Sequence, residues 1–108
     1  MIEQRKESDY TITSISGKLM GGPETAEFNK YISNLRNNGT VNLILDLGGL
    51  RWINAAGIGA LIAGITSFKN SNRTVRLVNL SPKVKDVFTI TNLSAVLEIY
   101  DSVEDARK

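Results

Sequence analysis

The sequence predicts an α/β domain: a mixed β-sheet of about four to five strands with helices packed on it, in the order ββαβαβαβα. Three observations carry that expectation. Tyr10-Thr11-Ile12-Thr13-Ser14-Ile15-Ser16 alternates polar with apolar residues, the pattern of a half-buried strand. Val41-Asn42-Leu43-Ile44-Leu45-Asp46-Leu47 is nearly continuous in apolar residues, the pattern of a strand covered on both faces and therefore central. Between and after these runs lie segments with helical spacing, each opened by a capping residue or a proline. At 108 residues the chain has the size of one domain, and strands alternating with helices call for one layered core.

Taken in order, a short strand precedes the alternating run, which ends at Gly17. Gly21-Gly22-Pro23 breaks the chain, and Pro23 suits a first helical position because the N–H it lacks would be unpaired there. Glu24 and Glu27 favour the positive helix end, and Phe28, Tyr31, Ile32 and Leu35 fall on one face. Asn37-Asn38-Gly39 ends this first helix. After the central strand a turn is expected at Gly48-Gly49, followed by Leu50-Arg51-Trp52-Ile53. Asn54 then caps a second helix, from about Ala56 to Phe68, with its side-chain oxygen. Thr74 to Leu80 alternates again, and Ser81-Pro82 opens a third helix whose inner stripe is Val84, Val87 and Phe88. Leu97 to Tyr100 reads as a last short strand, and Asp101-Ser102 as the cap of a brief terminal helix.

Composition removes several function classes. There is no cysteine and no histidine, hence no disulfide, no thiol nucleophile, no usual zinc ligand and no imidazole base. Neither a metal nor another cofactor is expected, and no catalytic residue is assigned. The net charge of +2 is spread along the chain without a basic stripe, so no direct binding of nucleic acid is expected. The uncharged stretch Trp52–Phe68 is interrupted by glycines and falls short of the roughly 18–20 apolar residues a membrane span requires. The start carries no apolar signal-peptide region, so a cytoplasmic location is expected. Gly21-Gly22 and Gly57-Ile58-Gly59 lack the remaining residues of a phosphate loop. Asp46 has no second convergent acid or base and reads as a loop-organising residue. Trp52 is placed in the core beneath its loop in preference to an exposed anchor, and Lys83 and Lys85 on a solvated face.

The second helix is the most informative segment. On a helical wheel Ile58, Leu61, Ile62, Ile65 and Phe68 share the side that must face the core. The opposite side carries Ala56, Ala60, Ala63, Gly64 and Ser67, where a solvent-facing helix normally carries Lys, Glu or Gln. Small residues let a helix sit close to its own sheet or to a neighbouring helix; they also leave a smooth face against which another protein's backbone can come close. The second reading is preferred, because these residues lie opposite the apolar stripe.

Val41 through Gly64, VNLILDLGGLRWINAAGIGALIAG, resembles the signature segment of STAS domains: a buried strand ending in Asp-Leu, a short loop, an acidic-Ser-small-Gly tetrapeptide and a Gly/Leu-rich helix. Ile15-Ser16-Gly17-Lys18-Leu19, Val78 through Val84 and Ile90-Thr91-Asn92-Leu93 extend the likeness over nearly the whole chain. The resemblance implies a single STAS domain spanning 1–108 with the STAS (SpoIIAA-like) fold. It also implies a non-enzymatic anti-sigma factor antagonist (anti-anti-sigma factor) that regulates transcription by protein–protein interaction. The implied partner is an anti-sigma factor that is also a serine kinase of the histidine-kinase-like ATPase type, and the implied assembly is a monomer or weak homodimer. In such proteins phosphorylation of the serine after the acidic residue turns binding off. Here the family's Asp-Ser-Ser/Ala-Gly is Asn54-Ala55-Ala56-Gly57, so Ala55 stands at the phosphosite and accepts no phosphate. Met20 stands where the family often has Asp before the first helix. The expectation is phosphorylation-independent docking through Met20, Gly21, Asn54, Ala55, Ala56, Gly57, Ile58, Ala60, Ala63 and Gly64. Two alternatives share the fold: a cytoplasmic STAS subunit of a membrane complex transporting lipid or anions, and a nucleotide-binding regulatory domain.

Overall fold

The strand over Val41–Leu47 lies at the centre of a five-stranded sheet, with apolar cover on both faces as its composition requires. The computed structural model describes residues 1–70, 72–95 and 97–107. Its elements are β1 (Ile2–Glu7), β2 (Tyr10–Leu19), α1 (Pro23–Asn37), β3 (Asn42–Ile53), α2 (Ala55–Lys69), β4 (Thr74–Val78), α3 (Pro82–Ile90), a single 3₁₀ turn (Leu93–Ala95), β5 (Ile99–Tyr100) and α4 (Val103–Ala106). The sheet order is β1-β2-β3-β4-β5, with β1 antiparallel to β2 and all other pairs parallel. The predicted order of elements is thus observed, and the 3₁₀ turn is the addition.

One face of the sheet packs against α1, α2 and α3. Leu43, Leu45, Leu47 and Leu50 of β3 point to it and are fully buried with Phe28, Leu61, Phe68, Leu77, Val84 and Phe88. Each such side chain contributes about 1.5–3 kcal/mol relative to exposure. The other face is covered by α4 alone: Ile12, Ile44 and Val78 meet Ala106, with Tyr10, Tyr100 and Val103 at the margin. Arg76 of β4 lies under this helix and donates to the Ala106 carbonyl and to the Tyr10 hydroxyl (3.2 Å), with the Tyr100 ring centroid 5.9 Å from its guanidinium carbon. A cation at a helix C-terminus is favourable, and here it also ties the terminal helix to the sheet.

The structure corrects two expected breaks. Gly17 does not end β2, which runs on to Leu19, and Gly48-Gly49 is not a turn, because β3 continues unbroken to Ile53. Two register shifts replace them: Ser14 pairs with Asp46 and Ser16 with Gly49, then Gly17 pairs with Leu50 and Lys18 with Trp52. Each shift inserts one extra residue into β3, the signature of a β-bulge. At the other end of the chain the last strand is shorter than read, Ile99–Tyr100 only; Val96 lies outside the described residues.

Arg73 joins the lower ends of three elements. Its guanidinium donates to the carbonyls of Thr40 (3.0 Å), Arg36 (3.1 Å) and Asn70 (3.3 Å), and its carbon lies 5.6 Å from the Phe68 ring centroid. The Arg36 and Asn70 carbonyls lie at the ends of α1 and α2, where intrahelical donors run out, and that of Thr40 lies in the loop before β3. Arg73→Ala is expected to lower unfolding stability by about 1.5–3 kcal/mol, the range for hydrogen bonds to a charged group. A urea titration should show a lower midpoint at unchanged slope.

Candidate functional site

The site is built where the end of β2 meets the first turn of α2. Asn54 is the N-cap of α2, and its Oδ1 accepts from the Gly57 N–H at 2.9 Å, as its position before the helix predicts. Its side-chain amide donates to the Met20 carbonyl at 3.0 Å, and its backbone N–H donates to the Leu19 carbonyl at 3.4 Å. The bond to Met20 needs an N–H on the side chain; a carboxylate there would face a carbonyl and repel it. Asn54 therefore serves two loops.

The loop Met20–Gly22 is fastened from its other side by α1. Glu24 Oε1 accepts from the Met20 N–H (2.8 Å) and the Gly22 N–H (3.3 Å), and Thr25 Oγ1 accepts from the Gly21 N–H (3.0 Å). These bonds favour the ionised carboxylate, led by that from Met20, and hold the Glu24 carboxyl below its ordinary pKa. Its contribution is therefore present at neutral pH and is lost as pH falls through the lowered value. Gly21 adopts φ +91°, a conformation that favours glycine, and an added Cβ would lie 2.9 Å from the Ala56 Cβ. The first turn of α2 carries no acidic residue, and among the described residues no group of three or more His, Cys, Asp or Glu could hold a metal ion.

The family model for the STAS domain matches residues 1–106. The chain belongs to the STAS domain family. A Thermotoga maritima relative, provisionally named an anti-sigma factor antagonist, is 28% identical over 80 residues, 73% of this chain and 71% of that protein. A crystal structure of a Thermotoga maritima protein under the same provisional name superposes with a TM-score of 0.86 at 23% identity, covering 98% of this chain and 91% of that one. The Bacillus anti-sigma factor antagonist SpoIIAA in its unphosphorylated form gives a TM-score of 0.73 at 16% identity, covering 99% of this chain and 94% of that one. SpoIIAA is also known in a phosphorylated form. The fold is thus the STAS, or SpoIIAA-like, fold.

Within this STAS domain the residues singled out from the sequence divide into two groups. Met20, Gly21, Asn54, Ala55, Ala56 and Ala63 are exposed, Ile58 and Ala60 are half-buried, and Ala55 is the first residue of α2. Gly57 and Gly64 are buried and do not belong to the outer face, which corrects their assignment. A Cβ on Gly57 would lie 1.8 Å from the Leu19 carbonyl oxygen, and one on Gly64 would lie 3.0 Å from the Phe28 ring. These two positions are small because α2 presses on the end of β2 and on α1. Ser67 also turns inward, where Arg36 of α1 donates to its hydroxyl. The outward strip is instead Ala56, Gly59, Ala63 and Thr66, with no charge before Lys69.

Trp52 is the second correction. It is 55% exposed, with Lys83 Nζ 4.4 Å from its ring centroid. Lys83, read from the sequence as simply solvated, is thus engaged. Plain alternation from Leu50 would send Trp52 inward, but the second bulge shifts the phase and Ile53 packs on the core in its place. No periodicity in the sequence signals that extra residue. Asp46 accepts from the Gly48 N–H at 2.9 Å, the arrangement of a carboxylate that organises its own loop.

Gly57→Ala is expected to destabilise the fold by about 3 kcal/mol, since the clash is with backbone and α2 must shift. Gly59→Ala, with nothing within 4 Å of the added Cβ, is expected to stabilise it by about 0.5–1 kcal/mol through helix propensity. Thermal or urea unfolding of the pair measures both.

Proposed function

We propose that this STAS domain is an anti-sigma factor antagonist that docks on an anti-sigma factor, a serine kinase of the histidine-kinase-like ATPase type, and so governs sigma-factor-dependent transcription. It works in the cytoplasm by binding, without catalysis and without a cofactor. The names of the relatives support this reading, and one observation carries it: the outer strip of α2, from Ala55 through Ala56, Gly59 and Ala63 to Thr66, is exposed and uncharged, and it starts from a rigidly capped end. A partner's backbone can approach such a strip closely without desolvating a charge. No described helix is long and apolar enough to cross a membrane.

Docking in this reading does not depend on phosphorylation. Ala55 occupies the first helical position, where a phosphoserine would sit at the positive helix end and obstruct a close partner. Its methyl group offers no oxygen. Thr66 is eleven residues on, roughly 16 Å along the helix at 1.5 Å per residue, and the Ser67 hydroxyl is engaged by Arg36.

Affinity capture from the source cell is expected to recover an ATPase-type anti-sigma factor. Ala63→Arg should lower its recovery at least tenfold, about 1.4 kcal/mol, while leaving the melting temperature within a few degrees because Ala63 is exposed. Recovery unchanged by Ala63→Arg would remove α2 as the docking face, and recovery of transporter subunits in place of the kinase would reassign the domain. A second arm uses the recovered kinase with ATP. The protein itself should take up no phosphate, whereas Ala55→Ser should take up one and then lose the partner.

A further inference from the structure

We propose that Trp52, with Lys18, Arg51 and Lys83 about it, is an anchor for an acidic segment bearing apolar side chains on the protein that docks along α2; the identity of the bearer rests on the docking reading, but the chemistry of the anchor does not. Trp52 is the single tryptophan of the chain, and the fold displays it. It lies near the end of β3, two residues before the cap of α2, at the end of the sheet from which the uncharged strip starts. A hollow beside it is lined by Gly48, Leu50, Arg51, Trp52 and Ser81, with the wholly buried Leu50 among its lining residues. An exposed aromatic beside a hollow is the kind of residue that dominates an interface when covered.

The charged side chains placed nearest it are basic, although Lys18 also acts on the Glu24 carboxylate. Lys83 lies over the ring face, Arg51 precedes Trp52 in the chain and lines the hollow, and Lys18 is the register partner of Trp52 on β2. The carboxylates of the neighbouring loops are turned on their own backbones: Glu24 on the N–H groups of Met20 and Gly22, and Asp46 on that of Gly48. Asp86, on α3, is exposed one helical turn beyond Lys83. Lys83 lies over the ring in a cation–π contact, and because the ring is neutral its full positive charge remains for a ligand. Charge complementarity therefore selects an acidic occupant. A membrane surface fits less well, because the adjoining strip of Ala and Gly has no side chain long enough to enter a bilayer.

Because Trp52 is the only tryptophan, its fluorescence reports on the anchor directly. The probe is a short synthetic peptide of Glu, Asp and Leu, with a counterpart carrying Lys at every acidic position. The acidic peptide is expected to shift Trp52 emission to the blue and to bind at least tenfold more tightly than the basic one in calorimetry. Binding should weaken several-fold between about 50 and 300 mM salt, as the Debye length shortens. The double change Lys18→Glu with Lys83→Glu should abolish the preference, and Trp52→Ala should lower calorimetric affinity at least tenfold. Equal binding of the two peptides, binding without an emission shift, or no binding at millimolar peptide would overturn the proposal. A larger blue shift with phosphatidylglycerol vesicles than with the acidic peptide would overturn it as well. Acidic-peptide binding in a protein that captures no kinase would support the anchor and sink the docking reading alone.

Discussion

The contact between the Leu19 carbonyl and Gly57 is the constraint on which the site depends. An added Cβ would lie 1.8 Å from that oxygen, so α2 can sit where it does only with glycine at this position. The close approach puts Asn54 within reach of Met20 and lets one side chain fasten a loop and a helix end together. From there the direction of α2 is set, and with it which alanines face outward. Glu24 and Thr25 complete the joint by taking the N–H groups of the Met20–Gly22 loop. If a partner docks there as proposed, it meets a pre-organised surface and less ordering entropy is lost on binding.

The sheet that carries this joint is covered unequally. Three helices bury one face around a continuous leucine-rich core, while four residues of α4 and two half-buried tyrosines serve the other. Arg76 makes that small cover hold, since it satisfies the end of α4 and lies beside Tyr10 and Tyr100. Glu98 lies 3.4 Å from the Arg76 Nε, an atom with no hydrogen-bond partner among the described residues, so the pair acts by charge more than by a directed bond. The uncharged outer strip of α2 stands apart from this lightly covered face, on a helix that packs on the larger core.

Charge gives the rim its character. Where the resemblance implies acidic residues, this chain has Met20 and Asn54; the structure gives Asn54 a use, since its amide must donate to the Met20 carbonyl, whereas Met20 enters the joint through its backbone alone. What remains exposed is neutral along α2 and basic around Trp52. In the proposed reading, a neutral strip beside a basic aromatic anchor would discriminate among partners by repelling cationic ones.

The sequence by itself determined the α/β class, the order of elements, the central place of β3 and the caps at Asn54, Ser81 and Ser102, because these rest on local periodicity and on side chains that bond within a few residues. It also marked α2 as unusual. It did not determine which small residues face outward and which are small for the protein's own packing. Gly57 and Gly64 look like Gly59 in one dimension; only the approach of Leu19 and Phe28 separates them. Nor did it show that Trp52 faces solvent, since the two bulges of β3 exist only where that strand is matched against β2. Tertiary structure decided both, for one reason: register and close approach are properties of pairs of segments distant in sequence, and a hydrophobic pattern read along a single segment carries no record of its neighbour.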